Sequence, residues 1–115
     1  MSCIFCRIAS GEIPSARLHD DELCFAIRDL RPQAPVHLLV IPKQHVASLW
    51  ELEDERLAGR LVGVAAQLAR AEKLEQGWRL IANTRGHAGQ EVQHLHLHVL
   101  GGRKLGRMLP LAESG

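Results

Sequence analysis

The segment His94-Leu95-His96-Leu97-His98-Val99-Leu100 alternates imidazole and aliphatic side chains until its final pair. Such alternation belongs to an extended strand, whose successive side chains point to opposite faces. Leu95, Leu97 and Val99 would anchor that strand to a core. His94, His96 and His98 would then stand in a row on the other face, with next-nearest Cα atoms about 6.5 Å apart. An isolated histidine is ordinarily a surface or satisfied core residue, but three in strict alternation are not. Two chemistries use such a row. One is a metal site, because imidazole is a common zinc ligand and a catalytic zinc could use two or three of these rings. The other is covalent catalysis, in which one histidine attacks and its neighbours bind phosphoryl oxygens.

The rest of the chain supplies the partners of that strand. Ser2 is placed to cap a short helix ending near Gly11, with Ile4, Phe5 and Ile8 at helical spacing. Leu23 to Asp29 and Val36 to Ile41 read as strands, and a short extra strand fits Arg17 to Asp20. The two prolines of Arg31-Pro32-Gln33-Ala34-Pro35 demand a loop between them. Val36-His37-Leu38-Leu39-Val40-Ile41 is nearly all apolar, so it should be central and covered on both faces, with Pro42 ending it. One long helix is expected from Asp54 to Leu74. Leu57, Leu61, Val64, Ala65 and Leu68 form its stripe, acidic residues sit at its start, and Gly77 stops it. Trp78 to Asn83 reads as a strand and Thr84 to Gln90 as a loop. The last strand spans His94 to Leu100. Helix, strands, long helix, strands implies an α+β fold with a largely antiparallel sheet of about five strands.

Composition narrows the function. A chain of 115 residues makes one domain with one core. With 46% hydrophobic and 23% charged residues it is of the soluble globular type. Its net charge of +1 steers it toward neither polynucleotides nor anionic membranes, although a mononucleotide needs only a local site. Two tryptophans, two phenylalanines and no tyrosine argue against a stacking platform for single strands. Neither a signal peptide nor a run near the ~18 residues of a membrane helix is found. Three cysteines do not suggest a disulfide framework, so a cytoplasmic location is expected.

The histidine run fits the His-φ-His-φ-His-φ-φ signature of the histidine triad (HIT) superfamily. Cys3-Ile4-Phe5-Cys6, Gly11-Glu12-Ile13-Pro14, Asp29-Leu30, Pro32-Gln33-Ala34-Pro35-Val36-His37, Leu39-Val40-Ile41-Pro42-Lys43 and His45 resemble its Hint branch, in register. So do Gly89-Gln90-Glu91-Val92 and Gly101-Gly102-Arg103. The resemblance covers roughly residues 2 to 103 of a single domain spanning 1–115, leaving 104–115 as a tail. It implies a HIT-like fold and hydrolysis of purine nucleoside phosphoramidates, of the adenosine 5′-monophosphoramidate and AMP-lysine type, without a catalytic metal. It also implies a two-fold homodimer whose sheets join across the interface.

By resemblance, His96 is the nucleophile that takes up the nucleotide. His98, Asn83 and backbone N–H groups near Gly89 would bind phosphoryl oxygens. His94 and His37 would set the tautomer and orientation of the nucleophile, although His37 on its apolar strand also reads as a buried structural residue. Asp29 is implied as the ribose acid, and Ile4, Phe5, Ile8, Ile27 and Leu30 as the base pocket. Glu91 stands where many members carry a serine facing the leaving group; a carboxylate there suits a leaving amine or solvent better than an anionic phosphate. Gln93 replaces a common aromatic residue, and the tail lacks the Trp-Pro-Pro ending of the branch. Cys3 and Cys6, spaced as Cys-x-x-Cys, are either small apolar helix residues or half of a zinc site. Some relatives complete such a structural site with histidines matching His45 and His94. Cys24, inside a strand, reads as core. Two rival readings remain: a nucleotide-binding regulatory module with vestigial catalysis, and a metallohydrolase holding zinc on the triad.

Overall fold

The structure, a computed structural model, describes residues 3–110. Five strands form one sheet in the order β1-β2-β3-β5-β4, every neighbouring pair antiparallel. They are β1 (His19–Asp20), β2 (Cys24–Arg28), β3 (Val36–Pro42), β4 (Trp78–Ile81) and β5 (Leu97–Gly101). The nearly unbroken apolar run of β3 lies in the middle, between β2 and β5, with Leu38, Val40 and Ile41 fully buried.

The period of two divides the core. Cys24, Ala26, Leu38, Val40, Leu97 and Val99 face the long helix α2 (Glu55–Ala71). Phe25, Leu39 and Ile41 face the short helix α1 (Ile4–Ala9), which adds Phe5 and Ile8. Leu57, Leu61, Val64, Ala65 and Leu68 of α2 are all buried as their spacing predicts, each larger side chain contributing about 1.5–3 kcal/mol. Asp54 caps α2 by accepting from the N–H groups of Arg56 and Leu57. Asp21 ties the β1–β2 hairpin to α2. Its Oδ1 accepts from the Leu23 and Cys24 N–H groups, and its Oδ2 accepts from Arg60 Nε at 2.8 Å. Burial alone would raise this carboxyl, but His19, those backbone donors and Arg60 hold it well below the usual range.

Several expected boundaries shift for definable reasons. The cap expected at Ser2 lies outside the described residues; α1 begins at Ile4, and the Cys3 thiol accepts from the Cys6 N–H. α2 ends at Ala71 rather than Leu74. Leu74 N–H bonds the Ala69 carbonyl and Lys73 N–H the Arg70 carbonyl, with Lys73 at φ 60. This is a Schellman cap in which lysine occupies the usual glycine position, so the stop precedes Gly77. Strands β2 and β4 lose their expected ends, and a single 3₁₀ turn, Gly86–Ala88, lies within the loop at 84–90. The largest correction concerns β5, which begins at Leu97 and not at His94. Pro42 has no N–H to extend the β3–β5 ladder, whose last pair is Val40 with Leu97. Leu95 N–H bonds the Val46 carbonyl instead, at 2.7 Å. The alternation of faces survives in the extended segment before the strand: Leu95 is in the α2 core while His94 and His96 touch Phe5 on the other side.

Candidate active site

The end of β3, the start of β5 and helix α1 converge on the histidines, and carbonyl groups decide how the rings are protonated. His96 Nδ1 lies 2.8 Å from the His94 carbonyl oxygen. A carbonyl only accepts, so Nδ1 carries the proton and Nε2 keeps its lone pair. That Nε2 has no hydrogen-bond partner among the described residues, while the Phe5 ring packs edge-on against the imidazole at 5.1 Å.

His98 is oriented by a different logic. The Gln33 N–H donates to His37 Nδ1 at 3.0 Å, so the proton of His37 is on Nε2. His37 Nε2 donates to His98 Nδ1 at 2.9 Å, with Asp29 Oδ2 3.4 Å away as a second acceptor. His98 must therefore carry its own proton on Nε2, where no partner is found among the described residues. Burial, reinforced by His96 and His37, pushes its pKa down to about 4. His98 is thus a neutral N–H donor at physiological pH, 5.1 Å from His96 between ring centres.

His94 turns away from both. Its Nε2 donates to the Pro42 carbonyl at 2.8 Å, and its Nδ1 lone pair enters a cluster of sulfur and nitrogen donors. Cys3 Sγ is 3.2 Å away, Cys6 Sγ 3.5 Å and His45 Nδ1 3.1 Å. Cys6 Sγ also lies 3.3 Å from His45 Nδ1. These spacings suit the edges of a tetrahedron built on ~2.0–2.3 Å metal bonds, and the Pro42 carbonyl supplies the usual outer support of a ligating histidine. Burial, with Cys3 beside it, holds the Cys6 thiol above its ordinary value, a state that a bound cation would reverse. Since His94 faces this cluster, the three triad histidines form no common metal-holding group among the described residues.

The remaining predicted residues fall into place unevenly. Asn83 lines a cleft of about 210 Å³ with His37 and His98, and its side chain makes no hydrogen bond among the described residues. A larger cavity of about 620 Å³, between Lys73, Trp78 and Lys104, includes none of the histidines. Gly89, at φ 76, uses its own N–H on the Gly86 carbonyl, so it is not a free phosphate donor. The N–H groups of Glu91 and Val92, just beyond it, have no partner among the described residues. Asp29 Oδ1 accepts from Arg31 N–H, which holds the carboxylate at the end of β2. Of the base-pocket set, Phe5 and Ile8 are buried and Ile27 packs beside them, whereas Ile4 is 48% and Leu30 97% exposed.

The sequence assigns no role to two further contributors. Gln33 acts through its backbone. Gln90 staples the loop at 84–90, donating to the Ala47 and Val92 carbonyls and accepting from the Arg85 N–H.

An antiparallel α+β sheet presenting these oriented histidines defines the histidine triad class of proteins. The chain belongs to the HIT domain family, whose profile matches residues 10–105. It is 48% identical over 109 residues to the purine nucleoside phosphoramidase of Escherichia coli K12, covering 92% of each chain. A HIT family hydrolase from Legionella pneumophila superposes with a TM-score of 0.88 at 47% identity, over 91% of this chain and 96% of that one. A Zn-bound histidine triad family protein from Mycobacterium smegmatis gives 0.81 at 38% identity, over 95% and 81%.

Proposed function

We propose that the protein hydrolyses purine nucleoside phosphoramidates through a nucleotidyl intermediate on His96. The observation carrying this reading is the bond from His96 Nδ1 to the His94 carbonyl, which leaves Nε2 as a bare nucleophile. Nε2 attacks the α-phosphorus and the P–N bond to the leaving group breaks, the departing amine taking its proton from solvent water. The His94 carbonyl, accepting from Nδ1–H, steadies the positive charge that the ring acquires when Nε2 is bonded to phosphorus. The Nε2–H of neutral His98, Asn83 and the free N–H groups of Glu91 and Val92 are suited to the phosphoryl oxygens. Water then cleaves the P–Nε2 bond and releases the nucleoside monophosphate. A regulatory module with vestigial catalysis would have no use for hydrogen bonds that fix the tautomers of His96, His37 and His98.

In this reading Asp29 accepts from the ribose hydroxyls beside a base pocket walled by Phe5, Ile8 and Ile27 and edged by Ile4 and Leu30. The test is steady-state turnover of adenosine 5′-monophosphoramidate and its 2′-deoxy analogue. Wild type should prefer the ribonucleotide, and Asp29→Ala should erase most of that preference, worth about 1.5–3 kcal/mol for a charged hydrogen bond. Equal losses on both sugars would remove Asp29 from this role, and no turnover of either would remove the activity.

We further propose that Cys3, Cys6, His45 and His94 hold a structural zinc, which would supply a cross-link rather than a Lewis acid for the reaction. Cys3, Cys6 and Cys24 form no disulfide, which fits the reducing cytoplasm as the site of action. The protein should act as a homodimer. β4 is an open edge of the sheet, and the outer face of α2 carries Gly59, Gly63 and the 51%-exposed Val62, with nothing within 4 Å of a side chain added at either glycine. Sedimentation at micromolar concentration should give twice 12.8 kDa, and a clean monomer would defeat the dimer.

A further inference from the structure

The turn after β5 reaches the catalytic histidines through three hydrogen bonds in series. Arg103 Nη2 donates to the Gln33 carbonyl at 2.9 Å, and Nη1 donates to the Lys104 carbonyl at 2.8 Å. The N–H of the same Gln33 donates to His37 Nδ1, and His37 Nε2 donates to His98 Nδ1. Gly102 lets the turn come this close. It sits at φ 95, and a Cβ there would lie 2.9 Å from Pro35 Cβ. The segment thus packs on the two-proline loop whose amide selects the tautomer of His37.

We propose that Arg103 is a positioning residue for the hydrolysis: by holding the Gln33 carbonyl it pins the backbone on the far side of the same Cα from the N–H that faces His37, and so keeps His98 in the form with its proton on Nε2. The inference rests on the function proposed above. An amide N–H can only donate, so while it faces His37 Nδ1 no proton can reside there. If the loop drifts, His37 is free to carry its proton on Nδ1 and accept through Nε2. The pair then reverses. His98 donates from Nδ1, and its Nε2 turns a lone pair, not a proton, toward the phosphoryl oxygens. Each ring exchanges one proton with solvent and no charge changes, so burial does not oppose the reversal. Asp29 Oδ2, an acceptor 3.4 Å from His37 Nε2, favours the working form but leaves Nδ1 unguarded.

The guanidinium is exposed, so Arg103→Ala should fold and melt as wild type does. The expected result is a fall in kcat of about tenfold with KM within about twofold, the lower end of the loss seen when the hydrogen-bond partner of a metal-bound imidazole is removed. Arg103→Lys, which keeps a donor for the Gln33 carbonyl, should restore most of the rate. Lys104→Ala, removing a neighbouring exposed charge, should change neither constant. Long-range ¹H–¹⁵N spectra of the histidine rings read the tautomer directly and without substrate. Wild-type His98 should show the proton on Nε2, and Arg103→Ala should show a population with it on Nδ1. An Nδ1–H form in wild type, or unchanged ring spectra in Arg103→Ala, would overturn the proposal. Because the spectra need no turnover, they decide the positioning role even if the phosphoramidate assay fails.

Discussion

Replacing His96 with alanine is expected to lower kcat by about 10³-fold or more while changing nucleotide affinity little, as when a covalent nucleophile is lost. The side chain makes one hydrogen bond, to the His94 carbonyl, and edge contacts with Phe5 and His98, so its removal should leave the fold standing. His98, Asn83 and the loop amides remain to bind the phosphoryl group, which is why binding should persist. His96→Asn separates orientation from nucleophilicity. Its amide can still donate to the His94 carbonyl, yet it offers phosphorus no lone pair of comparable reactivity, so its kcat should fall as far. Quenching wild type during turnover in alkaline denaturant, which preserves a P–N bond to imidazole, should trap radiolabelled nucleotide on the protein, and neither variant should carry label. A variant retaining more than a tenth of wild-type turnover would end the assignment of His96 as nucleophile.

The legibility of this protein follows from where its information is stored. Side-chain periodicity exposed the central strand, the buried stripe of α2 and the two faces of the histidine segment, because burial writes directly into residue type. Backbone acceptors leave no such mark. Nothing about His94 or Pro42 as residue types announces that their carbonyls fix the protons of His96 and His94, or that Gln33 selects the tautomer of His37 through its N–H. The start of β5 is hidden for a related reason: alternation reports an extended chain, whereas pairing depends on a partner N–H that Pro42 lacks. The end of α2 is hidden because Lys73 takes a left-handed conformation that is usually left to glycine. Gly89 looked like a donor by its place in the motif, yet its N–H is already engaged within its own turn.

The double substitution Cys3→Ser, Cys6→Ser is expected to lower the melting temperature by about 10 °C or more, since even 2–3 kcal/mol moves a domain of this size that far. The four donors come from the start of α1, the loop after β3 and the approach to β5, so a metal among them would cross-link segments 91 positions apart in the chain. Binding energy at such a site is folding energy, and serine is a poor replacement for thiolate. Catalysis should nevertheless survive wherever the fold persists. The carbonyl that orients His96 belongs to His94, and that segment is held independently by His94 Nε2 on the Pro42 carbonyl and by Leu95 N–H on the Val46 carbonyl. The variant should therefore keep most of its kcat below its lowered melting point. Elemental analysis of wild type purified without chelator should find about one zinc per chain, as expected for a closed four-donor site. Zinc well below that ratio would sink the site. Full occupancy together with loss of activity in a variant still folded would instead make the metal part of the chemistry, and the orientation argument for His96 would have to be replaced by one built on zinc.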